Sequence, residues 1–208
     1  YLGISHLSLF LTLQLNFPSK NQLEYLDLSG SYMDENLFRQ LMLSCHNLKK
    51  LSVADPYRAW KSEDLLKGIL QNSNSLNVLD ISKCYKLTYQ DIKSILSSCL
   101  NLTEVNFSFN CWTVLVPNLS VIFASLTPNI ERLSLSSDAI SVNAIKTLFT
   151  QCYKLTQLDF TRAHFIDEPE DTNVKFPKEI QLESLFMSGF DIHSTHLEML
   201  IPSCENSL

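Results

Sequence analysis

Glycine is nearly absent, with 4 in 208 residues. Loops that cradle phosphate need clustered glycines so that backbone N–H groups can close on the anion, and no such cluster exists here. Cations are also short, at 16 Lys+Arg against 22 Asp+Glu, for a formal charge of −6. A nucleic-acid binder gains affinity by releasing counterions from phosphates and needs the opposite surplus, so nucleic acid is not expected as a partner. No apolar run reaches the roughly 18 residues of a spanning helix, so no membrane segment is expected either. Charged residues make up 18% of the chain and apolar ones 45%. That is the balance of a packed globular protein and excludes a disordered one.

The first fifteen residues are apolar enough to suggest a signal-peptide core. No Lys or Arg precedes them and no small-residue cleavage site follows. Leu7, Leu9, Leu11, Leu13 and Leu15 alternate with other residues, and period two is the mark of a strand. Residues 1–22 are therefore read as an N-terminal strand or cap, or the end of an upstream segment. A first residue Tyr1 in place of Met points to an internal fragment.

What the chain does have is leucine, 36 of 208 residues. The pattern Leu-x-x-Leu-x-Leu, with apolar substitutes, begins at residues 23, 48, 76, 102, 130, 155 and 182. The mean spacing of about 26.5 residues lies within the 20–29 of leucine-rich repeats. After each such triplet the period changes from two to that of a helix. Leu65, Leu66, Ile69 and Leu70 form one stripe, Ile92, Ile95 and Leu96 a second, and Ile145, Leu148 and Phe149 a third. Ser62, Thr88, Ser141 and Ser194 stand where N-caps are expected, and Thr88 with Asp91 has capping-box spacing.

The expected fold is α/β: a curved leucine-rich-repeat solenoid of about seven strand-helix units over residues 23–208. The parallel sheet would line its concave face, and the stack would be truncated at its C-terminal end. One short strand and one helix cannot enclose a core, so neighbouring units must stack to bury the Leu positions. The third, fifth and seventh positions of each triplet region then face outward. The candidate protein-binding residues on that face are Tyr25, Asp27, Lys50, Ser52, Asp80, Ser82, Glu104, Asn106, Arg132, Ser134, Gln157, Asp159 and Phe186, with Phe109 next to Ser108.

Six cysteines, at 45, 84, 99, 111, 152 and 204, could form three disulfides in a small secreted protein. Instead Cys45, Cys99 and Cys152 each precede the next repeat's first apolar residue by three, a packing phase, so they are read as reduced thiols. Cytoplasm or nucleus is the compartment this suggests. The three Asn-x-Ser/Thr sequons, at Asn101, Asn106 and Asn118, are no more than this Asn- and Ser-rich composition yields by chance.

Catalysis finds little support. His193, His196 and Cys204 could supply zinc ligands, but their spacing is loose and surface polar roles account for them. No His is tied by motif to any Cys, which a thiol nucleophile would need. No catalytic residue, metal or cofactor is expected. The acidic run Asp167, Glu168, Glu170 and Asp171, set among prolines, is read as a solvated loop. Trp60 and Trp112 lie between units, either exposed to anchor a partner or packed over a strand end.

The phrases Leu-Asp-Leu-Ser-Gly at 26–30 and Ile-Leu-Ser-Ser-Cys-Leu-Asn-Leu-Thr-Glu-Val-Asn-Phe-Ser-Phe at 95–109 carry a further signal. They resemble the cysteine-containing leucine-rich repeats of F-box proteins. Other marks are a second repeat closing on Gln-Asn-Ser-Asn-Ser-Leu without Cys, a third carrying Ile-Ser-Lys-Cys, and a fourth closing on Leu-Thr-Pro-Asn-Ile. The resemblance implies substrate recognition for an SCF-type ubiquitin ligase. A protein substrate, of a class that includes phosphorylated cell-cycle regulators, would be held on the concave face together with a small accessory protein. The ligase adaptor would bind only through an F-box, and no segment here looks like one. The chain itself would be a monomer. The alternative is a free-standing leucine-rich-repeat scaffold or inhibitor with no ubiquitin connection.

Overall fold

A computed structural model describes residues 2–3, 8–9, 21–55, 60–108, 119–135, 138–165 and 182–187. Each Leu-x-x-Leu-x-Leu site contributes one three-residue strand. These are β3 (Tyr25–Asp27), β5 (Lys50–Ser52), β6 (Val78–Asp80), β7 (Glu104–Asn106), β8 (Arg132–Ser134), β10 (Gln157–Asp159) and β12 (Ser184–Phe186). With β1 (Leu2–Gly3) at one edge they form an eight-stranded sheet in the order β1-β3-β5-β6-β7-β8-β10-β12, and every pairing is parallel. The register is constant: the central residues Leu26, Leu51, Leu79, Val105, Leu133, Leu158 and Leu185 stand opposite one another across the sheet. All but Leu185 are essentially inaccessible.

Among the described residues five helices follow strands: α1 (Glu35–Ser44), α2 (Ser62–Gln71), α3 (Tyr89–Ser98), the short α4 (Leu119–Phe123) and α5 (Val142–Gln151). Their apolar stripes, including Leu37, Phe38 and Leu41 of α1 and Ile92, Ile95 and Leu96 of α3, pack into the same core as the strand leucines. All these helices therefore cover one face of the sheet. A fully buried leucine of this kind contributes about 1.5–3 kcal/mol, and the one continuous core runs through every described unit. The second halves of repeats six and seven lie outside the described residues.

Local chemistry sets the helix ends. Asp34 caps α1, accepting from the N–H groups of Asn36 and Leu37. Thr88 and Asp91 make the capping box that their spacing implied, and Ser141 caps α5. Ser62 departs from expectation. It is the first residue inside α2, and the cap position belongs to Lys61, which makes no side-chain cap bond. Glu63 and Asp64 in the first turn supply the negative charge favoured there, and the Lys61 ammonium pairs with Glu35 at 2.7 Å. Cys45, Cys99 and Cys152 are the C-cap residues of α1, α3 and α5, all completely buried.

In the four repeats whose turn lies among the described residues, the chain leaves the strand through a left-handed residue at one fixed phase, seven beyond the first leucine: Gly30 (φ 62°), Asp55 (53°), Lys83 (56°) and Arg162 (63°). Only glycine adopts this without strain, so the other three each cost about 1 kcal/mol. The turn is held by a ladder between repeats, in which Gly30 N–H donates to Ala54 O, Asp55 N–H to Ser82 O and Lys83 N–H to Ser108 O at 2.8–2.9 Å. The N-terminal segment joins the same order, since β2 (Ser8–Leu9) pairs in parallel with β4 (Tyr32–Met33), just as β9 (Asp138–Ile140) pairs with β11 (Ala163–Phe165).

Candidate protein-interaction face

Strand side chains alternate between the two sides of a sheet, so the residues flanking each buried leucine emerge on the side without helices. The constant register lines them up in two rows. One row reads Tyr25, Lys50, Val78, Glu104, Arg132, Gln157, Ser184, and the other reads Asp27, Ser52, Asp80, Asn106, Ser134, Asp159, Phe186. Thirteen of the fourteen residues expected on this face are brought together or to its edge. Phe109 lies outside the described residues, as do Trp112, His193, His196, Cys204 and the acidic run from Asp167 to Asp171.

The two rows differ electrically. In the first, the Arg132 guanidinium donates through Nε and Nη2 to the same oxygen of Glu104, at 2.9 and 2.7 Å. Both residues are partly exposed, and the two charges cancel locally. Lys50 makes no ion pair among the described residues, and Tyr25 beside it is 42% exposed. Tyr25, Leu26, Asp27 and Lys50 line an open hollow of about 420 Å³. The second row carries Asp27, Asp80 and Asp159 and no cation.

Those aspartates also shape the backbone. One oxygen of each accepts the N–H two residues on: Ser29 at 2.9 Å, Ser82 at 3.0 Å and Thr161 at 2.8 Å. Asn106 does the same for Ser108 N–H at 3.1 Å. These turns of the Asx kind end the strand and launch the left-handed residue. Ser52 and Ser82 sit lower than expected, at 9% and 8% exposure. Ser52 Oγ hydrogen-bonds Ser29 Oγ, and Ser82 Oγ donates to Asp80 at 2.8 Å. Their hydroxyls thus serve the sheet and offer little to a ligand.

The helix side holds features that the repeat pattern did not reveal. Trp60 is packed, at 3% exposure, and stacks on Phe38 with ring centroids 4.0 Å apart, which settles its role as covering the core. Arg39 Nε bonds both oxygens of the nearly buried Asp64 at 3.1 Å and reaches Glu35, tying α1 to α2. The side-chain signal for this pair was present only as two opposite charges 25 residues apart, one repeat length.

The four described thiols offer no nucleophile. Burial pushes Cys99 and Cys152 up to about 12. Cys84 is raised further by burial and by the carboxylates of Asp80 and Asp55, and Cys45 is raised by burial in spite of bonds from Asn21 and Ser44. A reactive cysteine needs the reverse shift. Among the described residues no group of three His, Cys, Asp or Glu could hold a metal ion, and no helix is long and apolar enough to cross a membrane.

No family model matches the chain. Among solved structures it is similar to a leucine-rich-repeat protein of Leptospira interrogans, at 18% identity and a TM-score of 0.43 over 88% of this chain and 54% of that one. The chain thus spans about half the length of the structure it matches.

Proposed function

We propose that this chain is a non-catalytic protein-binding module that holds its partner on the open face of the sheet. The observation that carries the reading is a sheet face that no described residue covers. All-parallel sheets are ordinarily covered on both sides. Here the described helices cover one side, while mostly polar residues in fixed register line the other. A broad ordered surface of this kind suits recognition of another chain, and among the described residues the carboxylates on it are partly exposed and no thiol is activated.

The finer reading is the substrate-recognition part of an SCF-type ubiquitin ligase. What supports it is the resemblance to F-box leucine-rich repeats, and from about Gln22 to Phe165 the order of repeat features resembles S-phase kinase-associated protein 2. The mechanism is proximity: the face holds the substrate while an F-box elsewhere in the protein holds the ligase, in cytoplasm or nucleus. Purification of the full-length tagged protein from cells tests it. Recovery of the SCF adaptor together with a ubiquitinated partner is expected. A partner recovered repeatedly without adaptor would replace this reading with a free-standing scaffold.

A further inference from the structure

Resting on the reading that the open face binds protein, we infer that its partner is an extended basic segment. The segment crosses the strands along the row of Asp27, Ser52, Asp80, Asn106, Ser134, Asp159 and Phe186, with Lys or Arg at positions four apart seated on Asp80 and Asp159.

Charge and spacing carry this. Arg132 and Glu104 neutralise each other in the neighbouring row, which leaves it the single cation Lys50, whereas the aspartate row carries three carboxylates and no cation, so the face is net acidic along that row. Each carboxylate uses one oxygen on its own turn, which fixes its rotamer, and the second oxygen takes no hydrogen bond or ion pair among the described residues. Asp80 and Asp159 are separated by three strand steps, β6 to β7 to β8 to β10. At about 4.8 Å per step that is roughly 14 Å. Residues i and i+4 of an extended chain lie about 13 Å apart on one side of it, whereas i and i+2 span only about 6.6 Å. Between the two aspartates the row holds only Asn106 and Ser134, whose small side chains let a backbone approach. One strand beyond Asp159 stands Phe186, 49% exposed, which faces position i+6. The expected pattern is Lys/Arg-x-x-x-Lys/Arg-x-apolar, in either chain direction. A helical segment would need residues about nine apart to span the same pair.

Asn106 supplies the control for the test. It makes in β7 the turn bond that Asp80 makes in β6, so Asp80→Asn and Asp159→Asn delete charge and retain the turn. Random twelve-residue peptides are selected on the chain, and the enriched ones are titrated against wild type and these variants by fluorescence anisotropy. Enrichment of basic residues four apart is expected. Binding should fall about fivefold for each single variant and about twentyfold or more for the double, at an unchanged thermal midpoint and with steep weakening by salt. Enriched peptides that are neutral or acidic, or basic peptides indifferent to both substitutions, overturn the inference. If such peptides still lose binding when Ser134→Tyr blocks the face, the protein-binding reading survives that failure. No enrichment at all overturns the inference as well.

Discussion

Asn72 occupies the C-cap of α2, where α1, α3 and α5 end in cysteine. It is 1% exposed and fully engaged. Its Oδ1 accepts from Leu48 N–H at 2.8 Å, and its Nδ2 donates to Cys45 O at 2.9 Å and Gly68 O at 2.8 Å. Cys45 O also accepts from Gln71, so removing the amide orphans two groups, Leu48 N–H and Gly68 O. Each buried orphan costs about 1–3 kcal/mol. Asn72→Leu, which fills the space and admits no water, is expected to cost about 4 kcal/mol. Asn72→Cys, which introduces the residue that three sister repeats use, is expected to cost about 3 kcal/mol despite matching them, because a thiol cannot serve three partners. Asn72→Asp keeps the acceptor for Leu48 but turns an anionic oxygen toward two carbonyls. The folded-state pKa of the new carboxyl must therefore rise above the unfolded value of about 3.9, so its penalty is present at neutral pH and shrinks as pH falls. Urea unfolding followed by circular dichroism at about pH 7 and pH 4.5 measures all three. An Asn72→Cys variant within about 0.5 kcal/mol of wild type, or an Asn72→Asp variant whose deficit against wild type grows at the lower pH, would refute the reasoning.

Three other perturbations test the packing. Arg39→Met leaves Asp64 nearly buried without its guanidinium and should cost about 3 kcal/mol, most of it restored in the double variant with Asp64→Leu; a double-mutant cycle by urea unfolding reads the coupling. Gly68→Ala would gain about 1 kcal/mol of helix propensity, but the new Cβ would lie 3.0 Å from Met42 Cβ and closer still to its Cε. Net destabilisation of about 1–2 kcal/mol is expected, and a stabilised variant would contradict the close α1–α2 contact. The buried thiols hold their protons more tightly folded than unfolded, so their stabilising contribution is complete below about pH 9 and is lost as pH rises toward 12. Under reducing conditions each should contribute a fall of up to about 1.4 kcal/mol per pH unit in that window, read as a dropping urea midpoint. Native-state alkylation at about pH 8 should meanwhile leave Cys45, Cys84, Cys99 and Cys152 unmodified.

The leucine spacing made the sheet legible, because a strand centre that recurs every 25–28 residues can be buried only if the strands stack in register. The two rows of the open face followed from the same alternation. Thr88 and Ser141 were legible as caps because a hydroxyl just before an apolar stripe has one well-defined use there. Ser62 was not, because charged residues in the first turn can replace a cap. Asn72 escaped notice for a geometric reason: α2 is followed by one extra residue before Leu76, which shifts the cap from three to four positions ahead. The left-handed phase was hidden behind Lys83 and Arg162, residue types that carry no signal of positive φ, and Asp55 alone, of a type that tolerates that region, does not reveal a repeating phase. The burial of Ser52 and Ser82 depends on hydroxyl bonds and stacking between neighbouring repeats, which no single repeat displays.

The central claim is that the partner binds the open face and not the helix side. It is tested most directly by measuring the affinity of the partner recovered with the full-length protein for two variants. Ser134→Tyr places a ring in the middle of the face, and Lys93→Glu changes an exposed position on α3. Binding is expected to be lost in the first and unchanged in the second, with both thermal midpoints near wild type. Full affinity in Ser134→Tyr with loss in Lys93→Glu would contradict it.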